Sequence, residues 1–392
     1  MRFPGFSSPR RAFRALTAML LGGAALTVQA EAASRFESAV FGNLPDGGKA
    51  RIFTLRNAHG VTVRFTSYGG IITAIDTPDK NGTMADIVLG FPDLKGYAVD
   101  SAKGGLFFGA LIGRYANRIA KGTYTLNGVE YHVPVTAPPN SLHGGLHGFD
   151  KKLWKVRRLD GLSHASGAEL TLVSPDGDEG FPGTLTVRVD YILDDTNRLT
   201  LHYRATTDKP TVLNLTSHSY FNLGGEGSGN IEHQILTISG DHYTPTDSTS
   251  IPTGEIAAVA NTPFDFTTPH VIGERLRSNV PQMMYARGYD HNWVINGEYG
   301  KEPRLAAHLT DLATGRTLTM FTSQPGLQVY TSNSLDGAYA GPSGRAYRQT
   351  DAIAFEAEHY PDSPNHPEFP TTTLQPGQTF DYTTEFRFGV AQ

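Results

Sequence analysis

The sequence predicts an all-β protein, one large antiparallel β-sandwich, and three observations carry that expectation. Alternation of period two recurs along the chain, as in Leu185, Val187, Val189 and Tyr191, the spacing that puts apolar side chains on one face of a strand. Between such stretches, 43 glycines and 24 prolines supply turns. Helical periodicity is scarce. With 392 residues, 39% of them hydrophobic and 18% charged, the chain has ample material for a large core.

Taken in chain order, "VTVRFTSYGGIITAID" from Val61 reads as two strands around a Gly-Gly turn. "GTYTLNGVEYHV" from Gly122 is a hairpin, because Asn127-Gly128 suits the positive φ angles of a type I′ turn. "KVRRL" from Lys155 and "GAELTLVS" from Gly167 continue the pattern. "GTLTVRVDYILDDTNRLTLHYRA" from Gly183 alternates on both sides of the polar turn Asp194-Asp195-Thr196-Asn197, a second hairpin. "GERLRSN" at 273–279 is a short helical candidate. "RTLTMFTSQPGLQVYTSN" and "DYTTEFRFGV" return to strands. No fixed-period repeat occurs, and no low-complexity linker divides the chain after Arg35.

The first residues read differently. Arg2, Arg10, Arg11 and Arg14 precede an apolar run from Ala15 to Val28, and small residues follow at Ala30 and Ala32. This is the pattern of a secretory signal peptide over residues 1–32, cleaved near 30–32, which leaves a single domain over 33–392. The expected destination is the periplasm or the exterior. The Sec route is favoured over the twin-arginine route, since a basic pair is ordinary in such a region. No other segment is long and apolar enough to span a membrane. A formal net charge of -5 gives no basic footprint for nucleic acid. The absence of cysteine excludes disulfides, thiolate nucleophiles and cysteine-ligated metals.

No phosphate-binding glycine loop, dinucleotide fingerprint, His-Glu-x-x-His or Gly-x-Ser-x-Gly is present. Polar islands stand among apolar residues instead: "GRYANRIAKG" from Gly113, "NSLHGGLHGFDKKLW" from Asn140, "LNLTSHSYFNLGG" from Leu213, "RGYDHNWV" from Arg287, "SQPGLQVYTSN" from Ser323 and "AIAFEAEHYPDSPNHPEFP" from Ala352. Val212, Asn214, Thr216, His218 and Tyr220 share one face if the third island is a continuous strand, which would make a polar site wall. Glu356 and Glu358 share a face at i and i+2, and Glu356, flanked by Phe355 and preceded by Ile353, is expected to point into a cleft. Glu358 reads equally well as a solvated strand edge. His143 and His147 are separated by two glycines and do not form a helical metal pair. A histidine-rich metal site stays open at this point, as do a surface ion pair for Arg118 and a turn cap for Asp290. Trp154 and Trp293 lie in or beside these islands. Such rings suit the apolar faces of a sugar, although core packing explains each ring taken singly.

Six motifs in order, "GRYANRIAKGTYTLNG", "NSLHGGLHGFDKKLW", "LTSHSYFNL", "YDHNWV", "QPGLQVYTSN" and "FEAEHYPDSPN", resemble the aldose 1-epimerase (galactose mutarotase) family over nearly the whole mature chain. The resemblance implies a galactose mutarotase-like supersandwich with the site in a cleft on one sheet. It also implies anomer interconversion of free aldoses such as D-glucose and D-galactose, with no cofactor and no metal. His218 matches the family's general acid and Glu356 its general base. Asn117, Arg118, His143, Asp290 and Gln328 match positions that bind sugar hydroxyls, and Ser219 and Tyr220 lie beside the acid. The implied partner is a monosaccharide, with the protein a monomer or homodimer and no nucleic acid or membrane bound once the signal is removed. Where the family often has Leu-Glu-Thr-Gln, this chain has Phe355-Glu356-Ala357-Glu358. The first Glu keeps its place. The second either stands in for Gln or perturbs Glu356.

In this chemistry a base takes the C1 hydroxyl proton while an acid protonates the ring oxygen. His218 would have to begin charged, supported by carboxylates such as Asp290 or Glu356. Two rivals remain. A glycosidase would need two carboxylates flanking the bond. A carbohydrate-binding module would need rings and hydrogen bonds but no His–Glu pair.

Overall fold

A computed structural model describes residues 35–391. The expected signal peptide and its cleavage point lie outside the described residues. Three antiparallel sheets make the body of the domain. The largest has nine strands, in the order Lys155–Arg158, Ala165–Ser174, Leu185–Asp194, Arg198–Thr207, Phe380–Val390, Arg316–Thr322, Arg304–Thr310, Ile235–Ile238 and His270–Val271. A six-stranded sheet runs Tyr220–Phe221, Ile353–Glu358, Gly326–Tyr330, Asp290–Val294, His242–Thr244 and Ala257–Ala258. A five-stranded meander, Phe36–Asn43 to Met84–Asp86, follows chain order.

The inner faces pack on one another as the alternation requires. Leu185, Val187, Val189, Tyr191 and Leu193 are buried in one cluster with Phe221, Leu327, Val329, Ile353 and Phe355 of the six-stranded sheet. Phe221 meets Phe386 across the two sheets with ring centroids 5.2 Å apart. Phe65 of the meander meets Tyr191 edge-on at 5.1 Å, and Tyr191 Oη donates to the Gly70 carbonyl at 2.7 Å. Both hairpins form. Leu193 pairs with Leu199, and Asn127 and Gly128 close the other with φ of 50° and 79°.

The helical candidate at 273–279 does not form a helix. Ile272–Glu274 makes one 3₁₀ turn, and the short α-helix of this region is Pro281–Ala286, started by a proline at its first position. The third island is not a continuous strand either. Thr211–Val212 pairs with Thr373–Leu374, Thr216–Ser217 pairs with Leu111–Ile112, and only Tyr220–Phe221 joins the six-stranded sheet. The segment passes between sheets, so the expected five-residue wall is broken, and only His218 and Tyr220 of it reach the cleft described below. Among the described residues no helix is long and apolar enough to cross a membrane.

Candidate active site

The cleft stands on the outer face of the six-stranded sheet. Along Ile353–Glu358, the side chains of Ile353 and Phe355 join the core, so Glu356 and Glu358 project the other way. Pairing with Gly326–Tyr330 sets Gln328 beside Glu356 and Tyr330 beside Ala354. The next pairing sets Asp290 beside Tyr330, and on the opposite flank Tyr220 pairs with Ala354. Register alone therefore assembles much of the floor. Loops bring Phe107, Asn117 and His143 over it, and the short strand Arg118–Ile119 brings Arg118, to bound a cleft of about 360 Å³.

Three of these loop residues, Phe107, Asn117 and His143, hold φ of 53°, 63° and 53°. Left-handed backbone at residues with side chains is costly, on the order of 1–3 kcal/mol each where it is strained, and it concentrates at functional sites. Gly144, at φ 86°, allows the tight approach beside His143, because a Cβ there would overlap the Gly113 carbonyl.

His218 is held on both sides of its peptide unit. Its N–H donates to the Ala110 carbonyl and its own carbonyl accepts from the Gly109 N–H, both at 2.9 Å. The imidazole lies between two rings, Tyr220 stacked at 4.9 Å and Phe107 at 6.0 Å. Its Nε2 stands 3.4 Å from Glu356 Oε1, and both side chains are almost wholly buried. Burial pushes His218 down to about 4, against a smaller upward pull from Asp290. Burial also pushes Glu356 well above its ordinary value, and the Glu358 and Asp290 carboxyls add to that rise. The expectation that carboxylates would keep His218 charged is thus overturned: desolvation outweighs Asp290. Burial favours the neutral form of each group.

Asn117 organises the rest. Its N–H donates to His143 Nδ1 at 3.1 Å, and its Oδ1 accepts from the Arg118 N–H at 3.0 Å and from Arg118 Nη1 at 3.3 Å. Arg118 Nη2 in turn pairs with Asp290 Oδ2 at 3.2 Å, and Gln328 Nε2 donates to Asp290 Oδ1 at 2.6 Å. A donor aimed at His143 Nδ1 puts the imidazole proton on Nε2, and burial holds the ring neutral. One ligand atom each from His143, His218 and Glu356 lies within 4.8 Å of the others. A metal would need the lone pair that His143 Nε2 has surrendered to its proton, since a ligating histidine turns its other N–H toward an acceptor. The trio does not suit a metal.

Of the residues singled out from sequence, Asn117, Arg118, His143, His218, Tyr220, Asp290 and Glu356 all line the cleft. Gln328 does not; it is buried beneath Asp290 and acts on that carboxylate. Ser219 is also buried and turned away, as alternation between His218 and Tyr220 requires. Glu358 is no solvated edge: it is fully buried, and its Oε1 accepts from Asn117 Nδ2 at 2.9 Å. Arg118 is no surface pair, and Asp290 anchors two partners rather than capping a turn. Both tryptophans belong to the core. Trp154 Nε1 donates to the Phe149 carbonyl at 3.2 Å and Trp293 Nε1 to the Phe264 carbonyl at 3.0 Å. The cleft's rings are Phe107, Tyr220, Tyr285 and Tyr330. Tyr330 stands at i+2 from Gln328 and was legible from that spacing. Phe107 carries no signal in the sequence.

A sandwich bearing a buried histidine–carboxylate pair, ringed by side chains that suit hydroxyl groups, defines an acid–base site for a small polar substrate. The chain belongs to the aldose 1-epimerase family, whose pattern matches residues 51–387. It is 44% identical over 353 residues to the galactose mutarotase of Homo sapiens, covering 90% of this chain and 98% of that one. It is 37% identical over 346 residues to the aldose 1-epimerase of Escherichia coli (strain K12), covering 88% and 96%. The crystal structure of a galactose 1-epimerase from Lactobacillus acidophilus NCFM superposes with a TM-score of 0.79 at 28% identity, covering 91% of this chain and 99% of that one.

Proposed function

We infer that the protein interconverts the α and β anomers of free aldoses such as D-glucose and D-galactose, by ring opening and reclosure. His218 is the acid toward the ring oxygen, and Glu356 is the base toward the C1 hydroxyl. The observation that carries this reading is the 3.4 Å approach of His218 Nε2 to Glu356 Oε1 on a buried floor.

The shifted proton affinities suit the chemistry. A charged His218 in this setting is a strong acid, because burial drives its proton off. An ionised Glu356 is a strong base, because burial drives a proton on. Opening the ring therefore carries the pair from its charged to its neutral form, the form that burial favours. The C1–C2 bond of the open aldehyde then turns by about half a revolution, and the two groups exchange proton roles on reclosure. Positioned acid and base groups each contribute about 10²–10⁴-fold. Arg118, Asp290 and the Nε2–H of His143 hold the remaining hydroxyls, with Asn117 and Gln328 setting their aim. Tyr220 packs on the acid. No step requires a cofactor.

A glycosidase would need a second free carboxyl in the cleft, whereas Glu358 is tied to Asn117 and Asp290 to Arg118 and Gln328. A binding module would gain nothing from burying a His–Glu pair. Polarimetry on freshly dissolved α-D-glucose and α-D-galactose tests the reading. Accelerated decay of rotation supports it. Unchanged decay, or release of an aryl group from an aryl glycoside, refutes it. Export to the periplasm or exterior rests on the N-terminal pattern of arginines, apolar run and small residues, and cell fractionation followed by N-terminal sequencing tests it.

A further inference from the structure

The acid–base reading leaves the buried Glu358 without a task. It follows Glu356 by two residues on the same strand face, yet it does not line the cleft. Its polar contact is with Asn117 Nδ2 at 2.9 Å. The other end of that amide, Oδ1, receives the Arg118 N–H and Nη1. With both ends held, the amide cannot flip. The Asn117 main chain, in its left-handed turn, donates to His143 Nδ1 and accepts the His143 N–H at 3.0 Å. Two other residues that face the cleft are thus bonded to Asn117, Arg118 through its amide and His143 through its main chain, and Glu358 holds that amide from below.

We propose that Glu358 is a positioning residue for epimerisation, locking the Asn117 amide so that His143 presents its Nε2–H and Arg118 its guanidinium to the sugar. The inference rests on the acid–base reading of the cleft. A glutamine would offer Asn117 the same acceptor oxygen but cannot ionise. The charged and titratable groups acting on it are Glu356 on its own strand, Asp290 on a strand of the same sheet, and Arg118 and Tyr115 from the loop above. Burial pushes Glu358 up to about 8, against the Asn117 hydrogen bond. Near neutral pH it is a carboxylic acid that imitates glutamine. At higher pH its charge favours retention of the proton on Glu356, so less of the ionised base is available.

The test compares Glu358→Gln and Glu358→Leu with the wild-type chain by polarimetry across pH, with the His143 Nε2–H followed by ¹⁵N NMR in the sugar-free protein. The expected Gln variant keeps its neutral-pH kcat within about twofold and loses the decline that ionisation of Glu358 produces near pH 8. The expected Leu variant loses at least about tenfold in kcat/KM at every pH, and its His143 Nε2–H signal broadens through solvent exchange. A Gln variant that retains the full alkaline decline, or a folded Leu variant with wild-type kcat/KM and a sharp His143 signal, overturns the proposal. Should the Leu variant not fold, the Gln profile decides. If the wild type itself fails to accelerate mutarotation, the epimerase reading falls, while the NMR comparison still reports whether Glu358 holds Asn117.

Discussion

Replacing Glu356 by glutamine isolates the chemistry from the architecture. The carboxylate's one close polar approach among the described residues is His218 Nε2 at 3.4 Å, and its Oε2 has no partner. An amide of the same shape keeps an acceptor for His218 Nε2 and removes a carboxyl whose ionisation burial penalises, while its N–H groups take the place of the unpartnered Oε2. These effects oppose one another, and thermal stability should change little. The rate should not. Loss of a positioned base costs about 10²–10⁴-fold, which at ~1.36 kcal/mol per decade is about 2.7–5.4 kcal/mol of barrier. The acid suffers too. Without the carboxyl, His218 would have to hold the acid's proton alone, and burial pushes that group down to about 4, so its charged form is scarce at neutral pH. The loss should reach the upper part of that range. KM should change little, since Arg118, His143 and Asp290 keep their partners. Polarimetry on α-D-galactose, with spontaneous decay subtracted and a melting curve recorded alongside, measures all of this. A folded Glu356→Gln protein with wild-type kcat would refute the assignment of the base.

His218→Asn should lower kcat by about 10²-fold or more with a small change in KM, because the asparagine cannot donate a labile proton to the ring oxygen. Asp290→Asn removes the charge that Arg118 pairs with and the strong acceptor for Gln328; KM should rise about tenfold with a smaller effect on kcat, read from initial rates against sugar concentration. His291 provides a stability test at a residue that follows Asp290 but does not line the cleft. It is fully buried, and burial pushes it down to about 4, whereas an unfolded histidine titrates near ~6.5. Between those values the unfolded chain binds the extra proton, so His291 costs stability as pH falls, by up to about 1.4 kcal/mol per unit. Urea unfolding should show the stability difference between His291→Phe and wild type moving in favour of the variant as pH is lowered through that window.

Much of the fold and part of the site could be read from residue order alone, for identifiable reasons. Alternation fixes which side of a strand faces the core, so Phe355 and Ile353 were enough to aim Glu356 at the cleft. The turn chemistry of Asn127-Gly128 and Asp194 to Asn197 was equally local. What failed was non-local. The run from Val212 to Tyr220 alternates, but its hydrogen-bond partners come from three different sheets, and no local pattern reports a change of partner. Glu358 carries the alternation of a strand edge, and only the loop bearing Asn117, far away in the chain, makes it interior. The tryptophans stood beside polar motifs without facing the substrate space. Proton affinity was the least legible property, because neighbouring charge is visible in a sequence and depth of burial is not.

Glu356, Gln328, Asp290, Tyr330 and Tyr220 owe their mutual placement to strand pairing, whereas Ser250, Tyr285 and Asn333 at the cleft lie outside the strands. The two groups are free to diverge at different rates. A slip of one residue in any floor strand would turn its polar side chains into the core, so change there is all-or-none and selection against it is severe. Substitution, insertion or exchange of the rim segments leaves the proton-transfer geometry untouched and alters only which sugars are held. Descent within this architecture can explore new sugars without reinventing the catalyst, and laboratory evolution aimed at sugar preference belongs in the rim.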